Sequence, residues 1–372
     1  VSLNFDSYPE DHFFNPGPVT MPTTVENSGS GSLTVDVITE VLTYVPGRTY
    51  SMVVRDEQTV LIPAGSQSNV TASFAPLLAA GPYKFTVEVR YQGKQAQKVT
   101  GTLFYDISNW TLPDYEPADF DTFWADTLAT MRSRALNPTL PSPMPENQYV
   151  EISFNGYQGP FHDRVRGFLS KPDGIAPGEK VPAILMLPGA GYGTAPLDTN
   201  WVDRGFVALA FSVHDLPFLD GRYHFSDAYP VDQVEQDKYG VFYMEAGLDN
   251  RDDYFYHAAY ANAVRAVDFL RSLPYVDETR IMVAGGSQGG ALTTAVAGLV
   301  PDIALAVANS PGRTRWDKLT YEYRAVGTFQ PPAGSDRRTM FEDVLVYCDS
   351  SIHARRIQAP VLYLIPLQDD ID

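Results

Sequence analysis

The sequence predicts two domains, an all-β domain followed by an α/β domain. Residues 1–106 contain short β-branched runs separated by turn residues, which is typical of an all-β fold. From about residue 149, nearly continuous apolar runs alternate with amphipathic helical segments, which is typical of an α/β fold with a parallel sheet. The length of 372 residues also favours two domains over a single core.

The composition is that of a globular and strongly acidic protein, with 44% hydrophobic residues, 19% charged residues and a net charge of −18. This charge argues against nucleic acid and anionic membrane as partners and suits a neutral partner such as a sugar polymer. No apolar run approaches the length of a membrane-spanning helix. The single cysteine, Cys348, excludes an internal disulfide and is expected to be a small core residue.

Six runs predict the strands of the first domain, and their spacing is typical of an immunoglobulin-like sandwich. They are residues 33–39, 50–54, 59–62, 69–74, 83–91 and 98–105. This domain, residues 1–106, contains no candidate catalytic cluster. Residues 107–116 are interpreted as a linker, and the α/β domain is expected over residues 117–372.

The second domain is predicted to alternate strands with helices. A helix over about 118–134 has one apolar face, formed by Phe120, Phe123, Trp124, Leu128 and Met131. A helix over about 253–273 also has one apolar face, with Arg265, Asp268, Arg271 and His257 placed away from it. The predicted strands are residues 149–155, 163–170, 181–188, 205–213, 281–283, 303–309 and 361–365.

The central motif is a serine in a glycine-rich turn between a predicted strand and a small-residue helix. Gly285, Ser287 and Gly289 match G-x-S-x-G in that setting. The motif predicts a nucleophile elbow, in which glycines relieve crowding and the serine hydroxyl is exposed. The backbone N–H of Gln288 starts the helix and is a predicted oxyanion donor. A packing turn between strand and helix is the alternative.

A second glycine-rich loop, Pro188-Gly-Ala-Gly-Tyr-Gly193, follows another apolar run. It lacks the third glycine of a dinucleotide-binding loop, because Thr194 stands there. We interpret it as the oxyanion loop of an α/β-hydrolase, with the N–H of Ala190 as the second donor. Tyr192 in this loop and His214 at the end of the next apolar run are candidate pocket residues. A plain glycine-rich loop is the alternative.

Asp369 is the candidate acid of a Ser–acid–His triad, because it follows the last apolar run and comes after the serine in the chain. Asp370 is the fallback. A serine hydroxyl also needs an adjacent base, and no histidine follows these aspartates. We therefore expect the chain to stop short of its natural end, with the base histidine beyond Asp372. The six histidines present are His12, His162, His214, His224, His257 and His353.

Residues from about 115 to the end resemble the acetyl xylan esterase / cephalosporin C deacetylase family, carbohydrate esterase family 7. The elbow Gly285-Gly-Ser-Gln-Gly-Gly290 is the most specific shared piece. The other pieces, in chain order, are Pro117-Ala-Asp-Phe-Asp-Thr-Phe-Trp124, Val264-Arg-Ala-Val-Asp-Phe-Leu-Arg-Ser-Leu-Pro274, Ala354-Arg-Arg-Ile-Gln-Ala-Pro-Val-Leu362 and Leu367-Gln-Asp-Asp-Ile371. The resemblance implies an α/β-hydrolase fold for this part of the chain, which follows the all-β immunoglobulin-like sandwich domain predicted above. It also implies Ser287 as nucleophile, Asp369 as acid and an oxyanion hole from the N–H groups of Ala190 and Gln288.

Three features depart from the family pattern. Ala190 stands where the family usually has tyrosine, which bears on the acyl pocket. His214-Asp-Leu216 replaces an Arg-Gly-Gln motif, which bears on substrate specificity. The family's histidine would lie beyond Asp372. The β domain, residues 1–106, also lies outside the family's usual core.

The expected function is a serine esterase that deacetylates an acetylated oligo- or polysaccharide, such as xylan, through an acetyl-serine intermediate. No cofactor is expected, and no metal, because H-E-x-x-H is absent and one cysteine cannot build a zinc site. The resemblance implies a homo-oligomer, and a secreted or periplasmic location is expected. Two alternatives are a peptidase of the prolyl-oligopeptidase type and a non-catalytic carbohydrate-binding relative.

Overall fold

The structure, a computed structural model, describes residues 2–4, 13–45, 49–77, 79–109, 115–218, 235–313 and 343–365. The chain forms two compact units that divide between Asp114 and Tyr115. This division lies inside the predicted linker. None of the helices in these ranges is long and apolar enough to cross a membrane.

The N-terminal unit is all-β and contains a sheet of three strands, ordered β1-β3-β6, and a sheet of five strands, ordered β2-β8-β7-β4-β5. Both sheets contribute side chains to one hydrophobic core, including Val25 and Val70 from the smaller sheet and Val37 and Phe85 from the larger one. The strands are β1 Ser2–Asn4, β2 Phe13–Phe14, β3 Val19–Asn27, β4 Leu33–Val45, β5 Thr49–Ile62, β6 Ser66–Phe74, β7 Gly81–Tyr91 and β8 Lys94–Tyr105. The immunoglobulin-like character of this unit stays a prediction.

Two details of the β unit differ from the sequence prediction. Residues 50–54 and 59–62 were predicted as separate strands, but β5 is continuous, and its acidic middle pairs with β4. Polar side chains are tolerated there because β5 is an edge strand whose middle side chains reach solvent. Strands β1, β2 and β3 were not predicted. The first two are only three and two residues long, and Pro22 interrupts the pattern of β3, although it lies opposite Thr71 in the ladder.

The C-terminal unit is an α/β structure with a seven-stranded sheet, ordered β15-β14-β13-β11-β12-β10-β9. Its strands are β9 Val150–Asn155, β10 Arg164–Ser170, β11 Val181–Leu187, β12 Val207–Ser212, β13 Val276–Gly286, β14 Leu305–Asn309 and β15 Val361–Leu364. Its helices are α1 Phe120–Arg132, α2 Thr199–Asp203, α3 Phe255–Ser272, α4 Gln288–Leu299 and α5 Ser350–Ala354. Short helical turns cover Glu235–Tyr239, Tyr243–Glu245 and Leu345–Cys348.

The prediction of a parallel sheet was wrong at one edge. Strands β12, β11, β13, β14 and β15 run parallel, but β10 pairs antiparallel with both β12 and β9. A loop of eight residues, 156–163, joins β9 to β10, and such a short connection permits only an antiparallel hairpin. Strand β13 lies near the middle of the sheet, so the residue that follows it emerges at the sheet's parallel carboxyl edge.

Helix α1 has the predicted apolar face. Phe120, Phe123, Trp124, Leu128 and Met131 are all buried in the core of this unit. The Trp124 indole N–H donates a 3.0 Å hydrogen bond to the carbonyl oxygen of Tyr347, just before Cys348. Cys348 is buried, as predicted.

The prediction that α3 has one polar face was wrong, because this helix is buried on nearly every side. His257 and Arg265, both predicted to face away from the core, are 1% and 4% exposed. The Thr127 hydroxyl on α1 donates to His257 Nε2 across 2.7 Å, and Arg265 Nε donates to the carbonyl oxygen of Asn155 across 3.2 Å. Neighbouring segments therefore supply polar partners for residues that the helical periodicity alone assigns to solvent.

Candidate active site

Ser287 lies at the tip of the turn between β13 and α4, and its side chain is exposed. Its backbone has φ +53° and ψ −119°, a strained conformation for a residue with a side chain. Hydrogen bonds to neighbouring segments help to hold it there. The Ser287 N–H donates to the carbonyl oxygen of Asn309 across 2.9 Å, and the Gly312 N–H donates to the Ser287 carbonyl across 3.1 Å. This strand, strained turn and helix form the setting that the sequence predicts for an elbow.

Close backbone contacts explain the glycines on either side of Ser287. A Cβ on Gly289 would lie 2.3 Å from the carbonyl oxygen of Leu187, and one on Gly285 would lie 2.7 Å from the same oxygen. The intervening Gly286 has more room, since its nearest neighbour, Asn309, would be 3.6 Å away. The two G positions of G-x-S-x-G therefore have no room for a side chain, whereas the first x position does. The same contacts show that the loop after β11 packs directly against the elbow.

Two backbone N–H groups beside Ser287 are free to bind an anion. Gln288 is the first residue of α4, so its N–H has no partner within the helix. Ala190 lies exposed in the loop after β11. Neither N–H is hydrogen-bonded to another described residue, and the helix N-terminus adds partial positive charge. The arrangement suits an oxyanion hole, although the roles of Ala190 and Gln288 stay predictions.

The side chain of Gln288 is buried, with 4% of its surface exposed, and joins three segments of the site. Its Nε2 donates to the carbonyl oxygen of Gly189 across 3.0 Å. Its Oε1 accepts hydrogen bonds from the hydroxyls of Tyr243, at 3.1 Å, and Tyr256. Burial raises the pKa of Tyr256, so its hydroxyl keeps the proton that it donates. Both the NH₂ group and the carbonyl oxygen of this side-chain amide are therefore hydrogen-bonded.

A second set of bonds holds Gly191, which has φ +126°. The Gly191 N–H donates to the Tyr243 hydroxyl across 3.1 Å, and His214 Nε2 donates to the Gly191 carbonyl across 3.1 Å. A carbonyl only accepts, so Nε2 carries the proton, and Nδ1 accepts from the Tyr239 hydroxyl across 2.7 Å. Tyr192 stacks on the His214 ring with centroids 4.6 Å apart.

His214 and Tyr192 were predicted as candidate pocket residues. The structure places both below the surface, at 1% and 9% exposure, where they support the loop. A contact between either side chain and a ligand stays a prediction. Burial lowers the pKa of His214 to about 3, so its ring is neutral near pH 7.

Each of the four described histidines, His162, His214, His257 and His353, donates a ring N–H to a backbone carbonyl. All four are at most 3% exposed, and none is hydrogen-bonded to Ser287. Burial lowers their pKa values to between about 3 and about 4. The ring of His353 packs against Phe120 and Trp124, although its neighbours in the sequence are mostly polar.

The candidate acids Asp369 and Asp370 lie outside the described residues. Two of the six histidines, His12 and His224, lie outside them as well. The expectation of a base histidine beyond Asp372 is untested. Within the described ranges, no group of three or more histidine, cysteine, aspartate or glutamate side chains is arranged to hold a metal ion.

Sequence reasoning missed the residues that support the oxyanion loop. Tyr243 and Tyr256 belong to no motif, and the contacts of the Gln288 side chain join positions 32 to 99 residues apart. Arg313 was missed as well. It is 8% exposed, and its guanidinium lies 3.0 Å from the centroid of the Tyr256 ring. The one signal in the sequence was an aromatic residue, Tyr256, at the second position of the helix α3.

A strained serine between a central parallel strand and a helix, with a glycine-rich loop packed beside it, defines a nucleophile-elbow protein of the α/β-hydrolase class. The family model described as acetyl xylan esterase (AXE1) matches residues 103–372. The chain therefore belongs to the acetyl xylan esterase family.

Individual relatives agree with this membership. The chain is 31% identical over 266 residues to acetyl esterase Axe7A of Xylanibacter ruminicola, a match that covers 68% of this chain. It spans only 57% of the length of that curated relative.

Two solved structures share the fold. Acetyl xylan esterase 1 from Thermoanaerobacterium sp. JW/SL YS485 has a TM-score of 0.53 and 23% identity, over 67% of this chain and 78% of that one. The acetyl xylan esterase from Paenibacillus sp. R4 has a TM-score of 0.52 and 23% identity, over 68% of this chain and 81% of that one. These similarities show an α/β-hydrolase fold for the C-terminal unit.

Proposed function

We propose that this protein is a serine esterase that removes acetyl groups from an acetylated carbohydrate, with acetylated xylan or xylo-oligosaccharides as the substrate class. The observation that carries the proposal is the exposed, strained Ser287 beside two backbone N–H groups, of Gln288 and Ala190, that no described residue occupies. Family membership and the esterase relative support an ester substrate over a peptide.

The chemistry is an acyl transfer in two steps. The Ser287 Oγ attacks the acetyl carbonyl carbon and gives its proton to a base, while the N–H groups of Ala190 and Gln288 hold the negative oxygen. The sugar hydroxyl leaves with that proton, which gives acetyl-Ser287. Water then attacks the acetyl group and releases acetate. One oxyanion donor stabilises the transition state by about 3–4 kcal/mol, and no cofactor takes part in the proposed steps.

For the acid of the triad, we propose Asp369, with Asp370 as the fallback. Support for the acid comes from β15, which precedes Asp369 and runs in the same direction as β13, so that the two carboxyl ends share one edge of the sheet. None of the four described histidines is proposed as the base, because each already donates a ring N–H to a backbone carbonyl.

For the case in which the polysaccharide itself is the substrate, we also propose a secreted or periplasmic location for the protein. We also propose that the N-terminal unit is an immunoglobulin-like sandwich and that the protein forms homo-oligomers. Cell fractionation and sedimentation of the purified protein test the location and the assembly.

Acetate release by the full-length protein tests the function. The substrates are 4-nitrophenyl acetate and acetylated xylo-oligosaccharides, and the variants are Ser287→Ala and the control Ser133→Ala. Loss of a triad member typically lowers kcat by about 10⁴–10⁶. We expect this loss in Ser287→Ala and full activity in Ser133→Ala. Equal activity of wild type and Ser287→Ala would overturn the proposal, as would hydrolysis of a proline-containing peptide but of no acetyl ester.

A further inference from the structure

We propose that the side-chain amide of Gln288 positions the oxyanion hole, by fixing the direction of the Ala190 N–H through the carbonyl oxygen of Gly189. Gln288 would then supply one oxyanion donor from its backbone and orient the other with its side chain. The inference rests on the proposed esterase function and assigns a role to a side chain of the same site.

The argument begins with the geometry of one peptide group. The Gly189 carbonyl and the Ala190 N–H belong to the same planar, trans peptide and therefore point in opposite directions. The 3.0 Å bond from Gln288 Nε2 to the Gly189 oxygen thus sets where the Ala190 N–H points. Packing does not hold this peptide, because Gly189 and Ala190 are both exposed. The glycines on either side of Ala190 leave the backbone free to rotate.

The amide is itself locked in one orientation. The Tyr243 and Tyr256 hydroxyls both donate to Oε1, so Nε2 must face the Gly189 oxygen. A flipped amide would set its oxygen against the Gly189 oxygen, and the Tyr243 and Tyr256 hydroxyls would lose the acceptor to which they now donate. At 4% exposure, no bulk water would relieve these mismatches.

The Tyr243 hydroxyl also orients the next peptide group of the loop, which joins Ala190 to Gly191. Tyr243 donates to Gln288 and accepts from the Gly191 N–H, so it connects the amide to the far side of Ala190. His214 then holds the Gly191 carbonyl. Both peptide groups that flank Ala190 are therefore oriented by buried side chains, which is the preorganisation that an oxyanion hole requires.

This role predicts a particular kinetic signature. The Ala190 N–H would bind the oxyanion more strongly than the ground-state carbonyl, so its misalignment lowers kcat more than it raises KM. The variants Gln288→Glu and Gln288→Met keep the backbone N–H of residue 288 and remove the donation to Gly189. The matched control is Tyr260→Phe, which removes a buried hydroxyl on α3, the helix that also carries Tyr256. This hydroxyl donates to the carbonyl oxygen of Cys348 and does not contact Gln288.

The experiment measures kcat and KM for 4-nitrophenyl acetate, the rate at which diethyl 4-nitrophenyl phosphate modifies Ser287, and the melting temperature. We expect both Gln288 variants to lose about 10- to 100-fold in kcat, with KM changed less than about threefold and the phosphorylation rate lowered in parallel. Tyr260→Phe should keep kcat and the phosphorylation rate.

Other outcomes overturn the inference. Folded Gln288 variants with wild-type kcat would show that the amide is not needed. A loss of kcat in Tyr260→Phe equal to that in Gln288→Met, with similar falls in melting temperature, would indicate a general packing effect. A wild-type protein that neither hydrolyses the ester nor reacts at Ser287 would overturn the esterase proposal and this inference with it. If the wild type and the Gln288 variants are all fully active, only the inference about Gln288 fails.

Discussion

Gly289 and Leu187 approach so closely that a Cβ on the glycine would lie 2.3 Å from the leucine's carbonyl oxygen. This contact joins the first turn of α4 to the end of β11. It places the loop that carries Ala190 beside the elbow that carries Ser287. The two glycine-rich motifs of the sequence therefore form one site because their backbones touch.

The contact predicts that Gly289→Ala is more destabilising than Gly286→Ala. The alanine Cβ at position 289 would clash with backbone atoms that cannot rotate away, whereas at position 286 it would make ordinary contacts with Asn309 at 3.6–3.8 Å. Overpacking typically lowers the free energy of unfolding by about 1–3 kcal/mol. We expect the upper end of this range for Gly289→Ala and less than about 1 kcal/mol for Gly286→Ala. Urea denaturation measures both, and equal losses would contradict the close approach at Gly289.

Local patterns in the sequence were sufficient to predict features that depend on a single helix, strand or turn. The apolar face of α1, with Phe120 and Trp124 on it, follows from helical periodicity, and the apolar run at β11 follows from a strand buried on both faces. The strained turn at Ser287 follows from glycines between a strand and a helix.

The features that the sequence failed to predict depend on contacts between segments that are far apart in the chain. Periodicity assigns His257 and Arg265 to solvent, but α1 and the end of β9 cover that side of α3 and supply hydrogen-bond partners. The bonds of Gln288 to Tyr243, Tyr256 and Gly189 could not be predicted either, because they depend on how the sheet brings four segments together.

Two arginines beside Asp268 are predicted to differ strongly in their contribution to stability. Arg132 makes a two-bond ion pair with Asp268, at 2.9 and 3.0 Å, but 43% of its side chain is exposed. Exposed pairs contribute about 0–1 kcal/mol, so Arg132→Ala should have a small, salt-sensitive effect.

Arg265 is 5% exposed in its side chain and donates to the carbonyl oxygens of Asn155 and Arg134. Both bonds are partly buried, and a carbonyl shielded from water and left without a partner is destabilising by about 1–3 kcal/mol. We therefore expect Arg265→Ala to lower the free energy of unfolding by about 3 kcal/mol or more, with little dependence on salt. Denaturation of both variants at low and high salt measures the difference, and a similar, salt-sensitive loss in both would show that Arg265 acts only through its charge pair with Asp268.

The buried histidines predict that stability falls as the solution becomes acidic. Burial lowers the pKa of His162 and His257 to about 4, and of His214 and His353 to about 3, from a reference value of 6.5. Below pH 6.5 the unfolded chain binds protons that the folded chain does not. The stabilisation is therefore complete above pH 6.5 and is lost progressively as the pH falls toward 4, by about 1.4 kcal/mol per pH unit for each histidine.

His353→Phe isolates one of these contributions. A phenyl ring can keep the packing against Phe120 and Trp124, whose ring centroids lie 5.0 and 5.1 Å from the His353 ring. The lost bond to the Tyr347 carbonyl shifts stability by a constant amount at every pH, so the slope is the informative quantity. Between pH 6 and pH 4, the free energy of unfolding of the variant should fall less steeply than that of wild type, by about 1.4 kcal/mol per pH unit. Parallel curves would show that His353 titrates in the folded protein much as it does in the unfolded chain, and that burial does not keep it neutral.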